Sequence, residues 1–345
     1  MGVFGLSFLR YITSTRPNDK LSAFDSKEKQ SACNDTHKIL RSLYASKQRT
    51  HTATIAYEAW KRDPILSRYV HDIGRVEITD DIETLDAIDA NLPVPRERLT
   101  VDSITKKLDD SRIPSEDRRC LEYIMRLLKT ADDPKLVCVW NKDNAVVNWN
   151  QCIQNIRESL SSRIREEKVE RLVADDAGRI CALQMENGTR VVIEDGASVI
   201  LTAGAWGQKL LKDSNIAGPP PAKSFRAIAV FTFHLRLSES HWTYIRGLPA
   251  LSFKNKIINC RPTSRRWYNA NSPLGEFLPA LHKDGLAKLG LTFPFTNVRN
   301  EPEDVSESDL MYRALEMAMR WVLLYYPELK GAKVVARELH WYVCH

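Results

Sequence analysis

The run Ser198-Val199-Ile200-Leu201-Thr202-Ala203-Gly204-Ala205-Trp206-Gly207 carries the clearest fold signal in the chain. Val199, Ile200 and Leu201 read as a buried strand that empties into the small residues Ala203, Gly204 and Ala205. Small residues at a strand end let another group come close to the backbone; a strand closing on a plain glycine turn reads the same way. Upstream, Lys168 to Thr202 alternates apolar and polar positions around turn signals at 175–178 and 186–188, which predicts a β-meander feeding that strand. Downstream, Arg226 to Leu237 is a strand by its period of two: Ala229, Phe231, Phe233 and Leu235 share one face, and Ile228, Val230 and Thr232 the other. Ser306 to Tyr326 is an amphipathic helix with Leu310, Ala314, Leu315, Ala318, Met319 and Val322 on its apolar side, and Pro327 stops it. The chain thus mixes α/β segments with a separate β-sheet region.

At the other end, Gly2 to Thr13 reads as a helix that opens on glycines, with Phe4, Phe8, Leu9 and Ile12 along one side. Pro17 closes it, and Lys20 to Asp25 is a short strand. A dinucleotide fold joins strand, glycine loop and helix, because glycines admit the pyrophosphate and the helix N-terminus offers unpaired N–H groups. Gly2-Val3-Phe4-Gly5 with Asp25 twenty residues after Gly5 fits the second half of that unit; a helix start and a turn acid fit as well. Thr50 to Lys61 predicts a helix that groups Ile55, Ala59 and Trp60. Residues 79–133 read as a helical, surface-heavy insertion with little chemistry of its own. The tract Pro219-Pro220-Pro221 is the sole low-complexity run.

Composition narrows the functional classes. The chain has 345 residues, 43% hydrophobic and 27% charged, enough for a large core and two joined domains. Fifty basic against 44 acidic residues give a net charge of +6, spread too thinly to argue for nucleic acid. Seven cysteines show no CxxC pair, so reduced, mostly buried thiols are expected. His340, Cys344 and His345 cluster at the C-terminus, where a frayed tail is a poor place for metal ligands. No apolar run spans a membrane, Met1 to Ile12 makes a poor signal peptide, and Val343-Cys344-His345 is no peroxisomal address of the Ser-Lys-Leu type. An intracellular location is expected.

These motifs together resemble the FAD-dependent D-amino-acid-oxidase-like superfamily, within it the sarcosine, saccharopine and fructosyl amino acid oxidases. Gly2-Val3-Phe4-Gly5-Leu6-Ser7 is similar to the second half of its glycine loop, with Gly2 and Gly5 as the second and third glycines. The run 198–207 is similar to the strand leading into Ala-x-Gly-Ala-Trp. Asn34-Asp35-Thr36-His37-Lys38-Ile39-Leu40-Arg41-Ser42-Leu43-Tyr44 is similar to the Asp…Lys/Arg-Ile-x-Arg-x-x-Tyr run beside the flavin. The resemblance implies Lys38 near the flavin ring and Arg41 facing the substrate pocket, where a guanidinium clamps a carboxylate; as residues alone, the two are also an i,i+3 solvent face. It further implies Gly2, Val3, Gly5, Asp25, Val169, Ala203, Gly204 and Ala205 as cofactor contacts. Gly275 to Ala280, Asp284 to Gly290 and Thr296-Asn297 resemble the Gly-Glu-x-x-Pro-Pro…Gly-x-x-Lys…Thr-Asn pattern of the saccharopine and fructosyl branch. That makes Lys288 the oxygen-activating residue, a cation over the flavin face; an exposed loop lysine is the plain alternative. Thr292 stands where sarcosine oxidases carry a histidine. His340 in Arg337-Glu338-Leu339-His340-Trp341 stands where relatives carry a flavin-linking cysteine.

The implied fold class is α/β plus α+β: a Rossmann-like FAD/NAD(P)-binding domain with a β-sheet substrate domain. The expected division is 1–84, 145–218 and 330–345 for FAD, and 85–144 and 219–329 for substrate. The cofactor domain is expected to be incomplete at both ends, lacking the first strand and glycine and the loop after the Arg-x-x-Cys-Trp segment. The implied reaction oxidises the C–N bond of a secondary amine or N-substituted amino acid, with O2 as acceptor and FAD held non-covalently in a monomer. An inactive remnant of such an oxidase is the second reading, and a nicotinamide-linked dehydrogenase the third.

Overall fold

A computed structural model of the chain describes residues 2–93, 95–133, 135–216, 226–254, 275–283, 285–295, 302 and 309–344. The Pro219-Pro220-Pro221 tract, Thr296-Asn297 and His345 lie outside the described residues. Helix α1 (Val3–Thr15) starts where Gly2 is extended and stops one residue short of Pro17's neighbour, Arg16. It buries Gly5, Leu6 and Leu9, while Phe4, Phe8 and Tyr11 are exposed. The expected Phe4–Phe8 stripe is therefore corrected: the packed side is one step round the helix. There α1 meets α6 (Trp149–Ser159) in a small core with Val147, Cys152, Ile153 and Ile156.

Around that core lie short strands. β1 (Ala23–Phe24) pairs in parallel with β8 (Ile164–Arg165). β2 (His37–Leu40), β7 (Ala145–Asn148) and β3 (Val70–His71) form a second sheet, beside α2 (Lys47–Arg62). In α2, Thr50 and Tyr57 are buried, Ile55 is exposed and Trp60 stacks on Trp149, so its packed face differs from the expected one. The meander is present as β9 (Val169–Ala174), β10 (Ile180–Met185) and β11 (Arg190–Val192), followed by α7 (Gly207–Asp213). Its turns fall where the sequence placed them, on Gly178 and Gly188, both with φ in the left-handed region that glycine tolerates.

The expected strand at Val199–Leu201 is not formed. These residues are 39–54% exposed and pair with no strand. A central parallel strand needs a neighbour on each side. Residues 199–201 belong to none of the sheets among the described residues.

An eight-stranded sheet dominates the rest, in the order β16-β12-β15-β14-β13-β4-β6-β5. Its strands are β4 (Arg75–Thr79), β5 (Arg98–Leu99), β6 (Val137–Asn141), β12 (Arg226–Arg236), β13 (Ala250–Lys254), β14 (Gly275–Leu278), β15 (Leu286–Phe295) and β16 (Lys333–Cys344). Segments 75–79 and 333–344, expected on the dinucleotide side, thus supply strands to this sheet. Helices α3 (Ile82–Asp89), α4 (Val101–Leu108), α5 (Ser115–Ala131), α8 (Glu239–Ile245) and α9 (Asp309–Tyr325) complete the fold. The 79–133 region is more than a surface insertion: α5 sends Leu121, Tyr123, Ile124 and Leu127 into the main core.

Strand periodicity gives the sheet two unlike faces. Ala229, Phe231, Phe233 and Leu235 are all fully buried on the face that α5 and α9 cover, with Leu251, Phe277 and Leu289 beside them. Helix α9 contributes Met311, Ala314, Ala318, Trp321, Val322 and Tyr325. The other face is polar. Following register partners across it gives Glu338, Thr232, Gly290, Glu276, Ser252 and Glu77 in one row, with His234 and Lys288 in the next.

Candidate active site

The polar face of the sheet meets the segment 31–38, and the buried charges concentrate there. Lys288 on β15 lies opposite His234 on β12. Its Nζ donates to Asp35 Oδ2 at 2.5 Å and to the His37 carbonyl at 2.9 Å. Lys38 Nζ reaches the same Asp35 oxygen at 3.2 Å. The Asp35 side chain is 1% exposed and that of Lys288 7%. Burial pushes the Asp35 pKa up, but Lys288 and Lys38 outweigh it and hold the carboxyl well below the usual carboxylate range. The Asp35 carboxylate thus accepts from two lysine ammonium groups.

Histidines ring the cluster. His37 is buried, and its Nδ1 has no hydrogen-bond partner. Burial first, then the Lys288 and His234 charges, pull its pKa down to about 3, so it is neutral at physiological pH. His234 Nε2 lies 2.9 Å from Thr36 Oγ1, and its Nδ1 is 3.8 Å from Glu338 Oε2. Burial lowers the His234 pKa against the pull of Glu338. His340 places Nε2 3.1 Å from the same Glu338 oxygen and Nδ1 3.3 Å from the Ser31 carbonyl. The frayed tail expected around His340 is corrected here. The residue is 1% exposed within β16, held by register pairing with Val230 and by the Trp341 N–H bond to the Gln30 carbonyl. The Cys344 and His345 side chains of the suggested metal cluster lie outside the described residues, and no metal-binding group occurs among those described.

Arg41 follows β2 and donates to Glu276 Oε1 at 2.5 Å, above the sheet's polar row. Lys38 and Arg41 are therefore not an i,i+3 pair on a helix: the segment is a strand, and each finds its own carboxylate. Lys288 is not an exposed loop lysine: it is buried on β15, with Asp35 and the His37 carbonyl as its hydrogen-bond partners.

The expected cofactor contacts fit a dinucleotide unevenly. Gly2 brings the α1 start against Cys33: Val3 N–H donates to Cys33 Sγ at 3.1 Å, and a Cβ on Gly2 would stand 3.1 Å from that sulfur. Gly5 is buried on the packed side of α1. Gly204, between Ala203 and the buried Ala205, has φ +54°, and no atom lies within 4 Å of where its Cβ would be, so a ligand can approach that backbone. Val169 opens β9, with its register partner Met185 on β10. Asp25 sits at the end of β1, but its Oδ2 meets Arg157 at 3.0 Å and its Oδ1 accepts the Lys27 N–H. The open glycine backbone, the helix start and the two lysines suit FAD; Asp25 would have to share its carboxylate with the ribose.

No protein-family model and no curated protein matches the sequence. Solved structures do. A modified fructosyl peptide oxidase from Aspergillus nidulans in complex with FSA superposes with a TM-score of 0.69 at 15% identity, over 99% of this chain and 78% of that one. Fructosyl amine:oxygen oxidoreductase (Amadoriase I) from Aspergillus fumigatus gives 0.66 at 18% identity, over 99% and 74%. Fructosyl peptide oxidase from E. terrenum gives 0.65 at 14%, over 98% and 76%. The chain has the fold of these oxidases. The resemblance read from the motifs is thereby shown as a likeness of fold to the fructosyl oxidases.

Sequence reasoning missed Asp35, His37, His234 and Glu338 as members of the cluster. His234 carried a signal: it continues the polar face begun by Val230 and Thr232. The pairing of Asp35 with Lys288 and of Glu338 with His234 gave none, since those partners are remote in sequence.

Proposed function

We propose that the chain is an FAD-dependent amine oxidoreductase acting on the C–N bond of a secondary amine or N-substituted amino acid, with O2 as acceptor. The observation that carries this reading is the buried Lys288–Asp35–Lys38 cluster on the polar face of an oxidase fold. Bound FAD would accept the hydride from the carbon beside nitrogen and return the electrons to O2 as hydrogen peroxide, water hydrolysing the imine. This chain's own residues supply charge and position. Lys288 keeps a fixed cation in a dry site, where it stabilises developing negative charge far better than it would in water. Asp35 and the His37 carbonyl orient that ammonium. His37, neutral at physiological pH, adds no charge to that of the lysines and of the Asp35 and Glu338 carboxylates. Arg41, held by Glu276, is the carboxylate clamp for an amino-acid substrate. His340 has both ring nitrogens engaged, so the flavin is held without a covalent bond to it. Peroxide release from a panel of N-substituted amino acids by the FAD-loaded chain tests the reading; no peroxide from any of them counts against it.

One observation favours a second reading, a chain that keeps the fold without holding flavin. Val199–Leu201 is exposed and in no strand, and the parallel β1–β8 pair is only two residues long. On that reading the purified chain carries no visible flavin absorbance after incubation with FAD.

A further inference from the structure

Of the two cations on Asp35, Lys38 makes the longer contact. Lys288 reaches the shared oxygen at 2.5 Å and has the His37 carbonyl as a second acceptor, whereas Lys38 stands at 3.2 Å. A lysine stem is flexible, so a contact of that length alone places its ammonium loosely. The ring of Trp149 adds a constraint: Lys38 Nζ lies over it, 5.8 Å from the ring centroid. An ammonium within about 6 Å of an indole centroid is drawn to the ring's quadrupole, more strongly where water is kept out. Trp149 is 8% exposed and the Lys38 side chain 22%.

The ring is itself fixed by its surroundings. Trp149 opens α6 immediately after β7, and β7 pairs Val147 with Lys38. The Trp149 backbone N–H donates to the Thr36 carbonyl at 2.9 Å, tying the helix start to the chain just before β2. Trp60 on α2 stacks on the indole, with 5.9 Å between centroids and 18° between planes. Leu6, Leu9, Ile153 and Ile156 pack in the same core.

An indole is a costly choice for packing alone. Trp149 Nε1 is buried without a hydrogen-bond partner. Such an N–H lowers stability, and phenylalanine would fill the core without it. What the indole offers beyond phenylalanine is a stronger attraction for a cation over its face. We infer that Trp149 is a positioning residue for Lys38: its ring, braced by Trp60, holds the ammonium beside Asp35. On the oxidase reading, on which this consequence rests, Lys38 is a cation near the flavin ring. Trp149 then tunes the flavin through Lys38, because a cation held there favours the reduced, negatively charged cofactor.

Fluorine NMR of the full chain labelled with 5-fluorotryptophan, without FAD, tests the placement. Trp149→Phe identifies the Trp149 signal among the chain's eight tryptophans. Lys38→Met is expected to move that signal and to leave the signal of Trp321, in the main core, where it is. A Trp149 signal unmoved by Lys38→Met overturns the inference. The midpoint potential of the FAD-loaded chain is the second readout. Trp149→Leu should lower it, as Lys38→Met does, and Trp149→Phe, with its weaker ring, should fall between Trp149→Leu and the unaltered chain. Trp149→Leu combined with Lys38→Met should lie no lower than Lys38→Met alone, since the effect runs through the lysine. If Trp149→Leu does not fold, Trp149→Phe with and without Lys38→Met carries the same comparison. An unchanged potential in the Trp149 variants, or a further fall when they are combined with Lys38→Met, overturns the inference. A chain that takes up no FAD counts against the oxidase reading alone, and the fluorine signal then decides the placement of Lys38.

Discussion

Lys288, Asp35 and His37 set the behaviour of the site through burial. Removing Lys288 leaves the Asp35 carboxylate in a dry site. Breaking a buried pair in this way costs roughly 3–5 kcal/mol. Lys38 remains 3.2 Å away, which puts Lys288→Met near the low end, about 3 kcal/mol. Asp35→Asn added to Lys288→Met should recover most of that loss in urea unfolding; no recovery would mean that the pair is not the source. His37 makes a pH prediction. Its pKa is lowered from 6.5 to about 3 in the folded chain, so the unfolded chain binds the extra proton first. Its contribution to stability is complete above pH 6.5 and is lost as pH falls from 6.5 towards 3, by up to about 1.4 kcal/mol per unit. Asp35, also lowered, adds a further loss at more acid pH, below the ordinary carboxylate value. His37→Gln should flatten the decline between pH 6 and 4. An unchanged slope would show that His37 titrates normally.

Among the elements, two apolar runs of similar composition have opposite fates. β12 is paired on both sides, and Phe231 and Phe233 are fully buried under α9. Val199–Leu201 is unpaired and exposed. Phe231→Ala should therefore cost about 3–5 kcal/mol, whereas Ile200→Ser should stay within about 0.5 kcal/mol. A large loss at Ile200 would restore the buried strand that the sequence alone suggests. The contrast shows what was legible. Periodicity identified β12, the meander and α9, because each buries one face within a few dozen residues of chain. It failed at Val199–Leu201, because an apolar run records that a strand would be stable, not that a neighbour is present. It failed at His340 too, where nearness to the C-terminus suggested fraying and long-range pairing with β12 fixes the residue.

Taken as one molecule, the chain joins a helix-rich part around α1 and α6 to the eight-stranded sheet, with the lysine cluster where segment 31–38 lies on the sheet's polar face. The motifs named Lys288, Lys38 and Arg41, and the structure gives each a buried or half-buried partner. The carboxylates and histidines that define the cluster's charge were hidden, because strand pairing brings together residues that are hundreds of positions apart. In the described residues no helix is long and apolar enough to cross a membrane; the decisive experiment concerns the cofactor. That experiment is gel filtration of the folded chain after incubation with excess FAD, read by visible absorbance and followed by acid precipitation. Flavin is expected to co-elute with the chain and to pass wholly into the acid supernatant. Flavin eluting apart from a folded chain would contradict the proposed function, and flavin retained on the pellet would contradict its non-covalent hold.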